Sequence, residues 1–107
     1  MSLVSLVKIS REAEFPFKQA IMESVNLIGY KFSSSVRRVV IKPNLCYYWD
    51  ATTGQTTSPR FVSELIDLLR EQINPNIEVA IVESDASAMR CKYAFRMLGY
   101  TRLAKEK

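Results

Sequence analysis

Short apolar runs along the chain alternate with longer stretches in which apolar residues recur at helical spacing. The short runs are rich in valine and isoleucine, and polar or turn-forming residues bound them. Such runs are typical of strands. They predict three strands, over residues 4–9, 36–41 and 77–82. The second run is continuously apolar at its centre, as in a strand that is covered on both faces.

A stretch with helical periodicity follows each predicted strand. Apolar residues at i, i+3 and i+4 predict helices over about 14–29, 58–72 and 87–98. Pro16 and Pro59 suit the first turns of the first two helices, where proline loses no hydrogen bond. Glycine follows the first and third helices, at the position where left-handed backbone commonly ends a helix.

The resulting order is βαβαβα, which predicts an α/β fold. Helical crossovers between successive strands require parallel pairing with right-handed connections. We therefore expect a three-layer arrangement around a short parallel sheet, a Rossmann-like fragment. The 107 residues suit a single α/β domain over 1–107, and so small a sheet indicates part of a larger domain. The exposed edge of so small a sheet predicts self-association.

Composition narrows the classes of function. The net charge of +4 comes from scattered cations, and no stripe of basic and aromatic residues indicates nucleic-acid binding. No apolar run reaches the roughly 18 residues of a membrane span. Two cysteines without CxxC spacing form neither a disulfide scaffold nor a zinc site, so we expect a cytoplasmic protein. Histidine is absent, which removes the commonest general base and metal ligand.

Candidate binding residues follow the second and third predicted strands. Ligands of open parallel sheets lie beyond the carboxyl ends of the strands. Polar side chains and helix starts gathered there favour a phosphate or carboxylate. The candidate ligand-binding residues are Lys42, Asn44, Thr56, Thr57, Ser58, Glu83, Ser84 and Asp85.

Each candidate also has a purely structural interpretation. Ser58 and Ser87 suit helix caps better than ligand contacts, although a cap can do both. Glu83 and Asp85 are more often a capping pair at such a turn than ligands of a divalent metal, and no metal is predicted. Asn44 can brace the turn after the neighbouring proline.

The two cysteines and the aromatic run are interpreted in the same way. Cys91 fits a core position on a helical face, whereas Cys46, in a loop, is the better thiol candidate but lacks a histidine partner. Tyr47-Tyr48-Trp49 suits a cover over apolar core better than a cover over a ligand.

Four segments resemble one known family. Ile41-Lys42-Pro43-Asn44-Leu45, Thr56-Thr57-Ser58-Pro59, Val79-Ala80-Ile81-Val82-Glu83-Ser84 and Gly99-Tyr100 are similar, in that order, to the family called domain of unknown function 362. The resemblance extends over nearly the whole chain. It implies that the chain corresponds to the amino-terminal portion of a longer family domain.

The resemblance also implies site positions and partners. Family motif positions fall on Lys42, Pro43, Asn44, Thr56, Thr57, Pro59, Glu83 and Ser84. Some members carry ferredoxin-type iron–sulfur modules, but the four-cysteine signature is missing here, so no cluster is expected in this chain. The family often has glycine before the third turn, and Val82 departs from that pattern.

Three functions remain open from the sequence. The first is the ligand-binding half of an enzyme for a small anion, with Lys42 on the anion and Glu83 or Asp85 as acid, base or metal ligand. The second is a non-catalytic module that docks to an iron–sulfur or redox partner. The third is a structural fragment whose activity lies elsewhere in a longer protein. Whether the protein is an enzyme stays open, and binding is favoured over turnover in this chain.

Overall fold

The computed structural model describes residues 2–45, 48–85 and 90–107. Within these ranges, helices and strands alternate in a mixed α/β arrangement that contains a parallel sheet. The elements in chain order are α1 (Pro16–Leu27), β1 (Arg38–Ile41), a 3₁₀-helix (Ala51–Thr53), α2 (Pro59–Gln72), β2 (Glu78–Ile81), α3 (Cys91–Met97) and α4 (Tyr100–Glu106).

The two strands β1 and β2 pair in parallel, as predicted. Their register runs from Arg38 opposite Glu78 to Ile41 opposite Ile81. The side chains of Arg38 and Glu78 form an exposed ion pair of 3.0 Å across the ladder. The helix α2 connects the strands, as a parallel crossover requires. Both carboxyl ends therefore lie at one edge of the sheet.

The predicted first strand, over residues 4–9, is wrong. Residues 2–10 have no regular secondary structure. The side chains of Leu3, Val4 and Leu6 are 68%, 90% and 94% exposed. A strand is stabilised by hydrogen bonds to a neighbouring strand and by burial of one face. An alternating sequence pattern by itself guarantees neither of these. The described residues consequently form a sheet of two strands rather than the predicted three.

One face of the sheet covers the main hydrophobic core. The half-buried Ile41, Val79 and Ile81 pack against it from the strands. The fully buried members of the core are Leu45, Val62, Ile66, Ala94, Tyr100 and Leu103. Val40, on the other face, is 56% exposed. The helices that bury the core thus come from one side of the sheet.

The helix α1 packs against α2. The rings of Phe17 and Phe61 meet edge to face, with centroids 5.4 Å apart. Glu64 of α2 is 5% exposed, and its Oε1 accepts hydrogen bonds of 3.0 and 3.1 Å from the backbone N–H groups of Phe17 and Lys18. Arg60 Nε lies 3.2 Å from the other carboxylate oxygen. A buried carboxylate from one helix thereby caps the amino terminus of another.

Two glycines end helices through left-handed backbone. Gly29 has a φ of 74°, and the N–H of Tyr30 donates to the Val25 carbonyl at 2.9 Å, the bonding of a Schellman motif. Gly99 has a φ of 90° and separates α3 from α4. The glycine stops were predicted, but the helix that resumes after Gly99 was not.

The described helices are short. The helix α2 has 14 residues, which corresponds to about 21 Å. No helix in the described part of the chain combines the length and the apolarity needed to cross a bilayer.

Removal of the Glu64 carboxylate tests the contact between α1 and α2. We expect Glu64→Ala to lower the free energy of unfolding by about 2 kcal/mol, because two helix-terminal N–H groups lose a charged acceptor. Glu64→Gln keeps an acceptor, so the loss is smaller. Urea denaturation followed by circular dichroism measures both.

Glu71→Ala is the matched control. Glu71 also pairs with α1, through Lys18 at 2.8 Å, but its side chain is 53% exposed. We expect a change within about 0.5 kcal/mol, as for a surface ion pair. Equal losses at Glu64 and Glu71 would contradict the capping role.

Candidate functional site

The carboxyl ends of β1 and β2 hold two predicted site residues in direct contact. The ladder continues one step past β2, since the N–H of Val82 donates to the Ile41 carbonyl at 2.9 Å. Lys42 follows Ile41 in the chain, and Glu83 follows Val82. Lys42 Nζ lies 3.0 Å from Glu83 Oε1. The predicted convergence of these two segments is therefore observed.

Burial distinguishes the two partners of this ion pair. The Glu83 side chain is 8% exposed, whereas that of Lys42 is 65% exposed. Glu83 Oε1 also accepts a hydrogen bond of 2.9 Å from the N–H of Ser84. Glu83 Oε2 accepts a longer one, of 3.4 Å, from the N–H of Leu45. The carboxylate thus ties the segment after β1 to the segment after β2.

These contacts determine the ionisation of Glu83. Burial raises the pKa of this carboxyl group, but the hydrogen bonds from Ser84, Lys42 and Leu45 together outweigh burial and hold the pKa below its ordinary value. Glu83 is therefore ionised at neutral pH. A carboxylate with this pKa is a weak base and a poor proton donor.

Asn44 and Thr57 fasten the segment after β1 to the residues before α2. The N–H of Asn44 donates to Thr57 Oγ1 at 2.8 Å, and the N–H of Thr57 donates to the Asn44 carbonyl at 2.9 Å. Asn44 Nδ2 donates to the Gln55 carbonyl at 3.2 Å. An antiparallel bridge joins Leu45 and Thr56 within the same loop. These bonds support the bracing interpretation of Asn44.

Two buried hydroxyl groups complete this loop. Thr56 is 7% exposed, and its Oγ1 donates to the Trp49 carbonyl at 2.8 Å. Tyr100 is 2% exposed, and its Oη donates to the Thr57 carbonyl at 2.6 Å. Burial raises the pKa of Tyr100 to about 12. Thr56, like Asn44 and Thr57, is engaged within the protein.

Ser58 occupies the N-cap position of α2, as predicted, but its hydroxyl group does not cap the helix. Among the described residues, Ser58 makes no side-chain cap hydrogen bond, although its carbonyl accepts from the N–H of Val62 at 3.2 Å. With Pro59 in the first position, the chain begins the helix without that cap. Ser87, the other predicted cap, lies outside the described residues.

Asp85 caps α3. Its Oδ1 accepts a hydrogen bond of 2.8 Å from the N–H of Cys91, which lowers the pKa of Asp85. A separate hydrogen bond between the Cys91 thiol and the Asp85 carboxylate, aided by burial, raises the pKa of the Cys91 thiol. Cys91 packs against the core, as predicted. Within residues 2–45, 48–85 and 90–107, no three histidine, cysteine or acidic side chains gather as a metal site.

Comparison with protein families decides the classification. The family model described as Domain of unknown function (DUF362) matches residues 39–107, well over half of the chain. The chain belongs to this family. No curated protein and no solved structure matches the chain.

The DUF362 match confirms the resemblance drawn from the four motif segments. It begins within β1 and includes all eight predicted site residues. It does not reach α1 or the segment before it, so the matched region is smaller than the expected near-complete coverage.

Tyr48 is a structural contributor that was not singled out as a site residue. Its Oη accepts a hydrogen bond of 2.7 Å from the N–H of Arg90, just before α3, and its side chain packs against the core. The aromatic run was the signal, and the core-covering interpretation holds for Tyr48. Cys46 and Tyr47 lie outside the described residues.

Acid denaturation tests the role of Glu83. Because its folded-state pKa is lowered, Glu83 stabilises the fold above its unfolded pKa of about 4.3, and this contribution is lost as pH falls through the folded-state value. We expect Glu83→Gln to cost about 1–3 kcal/mol at pH 7 and to flatten the fall in stability below about pH 4.3.

Glu78→Gln supplies the control, since Glu78 also pairs with a cation beside the sheet but is 61% exposed. Its cost should stay within about 0.5 kcal/mol, with the acid dependence unchanged. A Glu83 variant as stable as the parent at every pH would rule out the anchoring role.

Alkaline denaturation tests the buried hydroxyl of Tyr100. The unfolded tyrosine ionises near pH 10, whereas burial raises the folded-state pKa to about 12, so stability falls between these values. We expect Tyr100→Phe to cost about 1 kcal/mol at pH 7 and to reduce this alkaline slope. Unfolding in urea across pH 8–12 measures both effects. An unchanged slope would show that Tyr100 does not ionise on unfolding.

Proposed function

We propose that the rim formed by the carboxyl ends of β1 and β2 binds a small anionic ligand, a phosphate or a carboxylate. The eight predicted residues divide into two groups there. Asn44, Thr56, Thr57, Glu83 and Asp85 hold the segments in place through the hydrogen bonds described above. Lys42, Ser58 and Ser84 offer donors to a ligand.

The observation that supports this proposal most directly is the ion pair between Lys42 and the buried Glu83 carboxylate. Its ammonium group has three N–H donors, and Glu83 Oε1, at 3.0 Å, occupies one. The side chain is 65% exposed, so the remaining donors are accessible to a ligand from solvent. A buried carboxylate holding an exposed ammonium group is a preorganised donor, which lowers the entropic cost of binding.

The same ion pair sets the expected strength of binding. Because Glu83 compensates the charge of Lys42, an anion gains less Coulomb energy than it would from a lone ammonium group. We therefore propose weak binding that depends on salt, with the free N–H groups in the first turn of α2 as further donors.

The geometry supports binding over catalysis. The sequence offered Glu83 or Asp85 as a general acid or base, but hydrogen bonds lower the pKa of both groups. Each carboxylate also holds backbone N–H groups in place. We propose that Glu83 positions Lys42 and that the chain by itself performs no turnover.

A docking function is the second candidate. Val40 is 56% exposed on the face of the sheet opposite the core, and Val82 is 40% exposed just beyond β2. Exposed apolar side chains on a sheet favour contact with another protein surface. We propose this role second, with an iron–sulfur or redox module as the partner implied by the family resemblance.

The exposed face also bears on the wider architecture. A parallel sheet is typically covered on both faces. We propose that the sheet belongs to a three-layer domain in a longer cytoplasmic protein, in which another element covers Val40.

A thermal-shift screen tests the anion site. Phosphate, pyrophosphate and citrate are each added at concentrations up to about 20 mM. This range exceeds the Kd of about 1 mM that we expect. We expect a rise in Tm that saturates, falls with added NaCl, and disappears in Lys42→Ala. Stabilisation arises because the ligand binds only the folded state.

Lys31→Ala is the matched control, because Lys31 is an exposed lysine that precedes β1, whereas Lys42 follows it. It should retain the full shift. If no anion raises Tm, or if Lys42→Ala responds like the parent, the anion proposal fails and docking becomes the preferred function.

A further inference from the structure

One edge of β2 carries backbone groups that point away from β1. The N–H groups of Glu78 and Val82 donate to the carbonyls of Arg37 and Ile41, at 3.1 and 2.9 Å. Because backbone groups alternate in direction along a strand, those of the intervening odd-numbered residues point to the opposite edge. Among the described residues, no strand pairs with β2 there. Such an edge is a template for a further strand.

An apolar groove runs along the same strand. A cavity of about 520 Å³ is lined from β2 by Val79 and Ile81, the two residues whose backbone groups point to the free edge. Ile66, Phe95 and Tyr100 line it from the helices. A strand added to β2 places every second side chain on the face that carries this groove. Backbone pairing and side-chain burial are thus available to one extended segment together.

The rim of the groove is basic. Arg70 of α2 and Lys105 of α4 line it, and neither forms an ion pair with any residue that the structure describes. Lys107 also lines the groove but is already paired with Asp67, at 2.8 Å. Two uncompensated cations beside an apolar groove favour an occupant with carboxylates flanking an apolar centre.

We propose that the free edge of β2 and this groove accept an extended apolar peptide segment with acidic ends, added to the sheet as a further strand. Strand addition satisfies the outward backbone groups of Val79 and Ile81 and buries their side chains. The acidic ends contact Arg70 and Lys105.

A second copy of this chain is a poorer occupant. The net charge of +4 makes two copies repel, and the exposed apolar segment over residues 4–9 contains Lys8 rather than an acidic residue. The self-association expected from the sequence is therefore disfavoured at this edge. The strand-addition proposal does not depend on the anion site at Lys42.

Binding of a synthetic peptide to the full chain tests the proposal. The probe is an acetylated, amidated octapeptide with a centre of alternating valine and threonine and glutamate at both ends. We expect saturable binding in a fluorescence anisotropy titration of the labelled peptide. Replacing the glutamates with lysine should weaken binding by roughly tenfold or more.

Backbone pairing is tested separately. A version of the peptide with alternate backbone nitrogens methylated retains its side chains. It loses the N–H donors along the edge that would pair with β2, so it should not bind. Hydrogen exchange by NMR should slow at the Val79 and Ile81 amides when the parent peptide binds. The amides of Glu78 and Val82, already bonded to β1, should change little and serve as internal controls.

Two double variants test the charges. Arg70→Gln with Lys105→Gln should remove the preference for glutamate ends. Lys92→Gln with Arg96→Gln removes the same charge from exposed positions of α3 outside the groove and should leave the preference intact.

Three results would overturn the proposal. The first is no binding of the glutamate peptide at millimolar concentration. The second is equal binding of the methylated peptide, which indicates a pocket for side chains without strand pairing. The third is a homodimer in sedimentation that protects the Val79 and Ile81 amides without peptide, which assigns the edge to a second copy.

Discussion

The arrangement at the sheet edge depends on one buried carboxylate. Glu83, 8% exposed, accepts hydrogen bonds from the backbone N–H groups of Leu45 and Ser84 and pairs with the ammonium group of Lys42. Burying a charge without such partners costs free energy. The fold can therefore bury Glu83 only while these three contacts are made. The carboxylate fixes two segments that lie far apart in sequence, and it holds the exposed ammonium group of the proposed anion site.

A second buried carboxylate has a comparable structural role. Glu64 joins α1 to α2 by accepting two N–H groups at the start of α1, as Glu83 joins the ends of the two strands. In both cases, a side chain satisfies backbone donors that regular secondary structure leaves free. The acidic residues at these positions therefore act mainly on backbone geometry. These contacts support the proposal that Glu83 positions Lys42 rather than transferring a proton.

The sequence predicted those parts of the molecule that depend on local pattern and on parallel topology. Strand-like runs, a helical crossover and polar residues at two strand ends sufficed to bring Lys42 and Glu83 to one rim. The first strand failed because the alternation over residues 4–9 carries no information about a partner strand. The resumption of helix at Tyr100 was missed because a glycine stop does not indicate whether the chain beyond it is helical.

Long-range hydrogen bonds were beyond the reach of sequence patterns. Tyr48 contacts the backbone of Arg90, and Tyr100 contacts that of Thr57, across about 40 residues in each case. Ser58 carries the residue type of a cap, yet its hydroxyl makes no such bond among the described residues. Residue type therefore identified candidates for the site, while only the folded chain distinguished residues that brace the loops from those with donors to spare.

The most direct test of this account is a carbon-13 NMR titration of the Glu83 side-chain carboxyl group. We predict a midpoint below the ordinary glutamate value of about 4.3, which rises when Lys42 is replaced by alanine. A midpoint at or above the ordinary value, unaffected by that replacement, would contradict it, because the buried carboxylate would then not be held by the contacts described here.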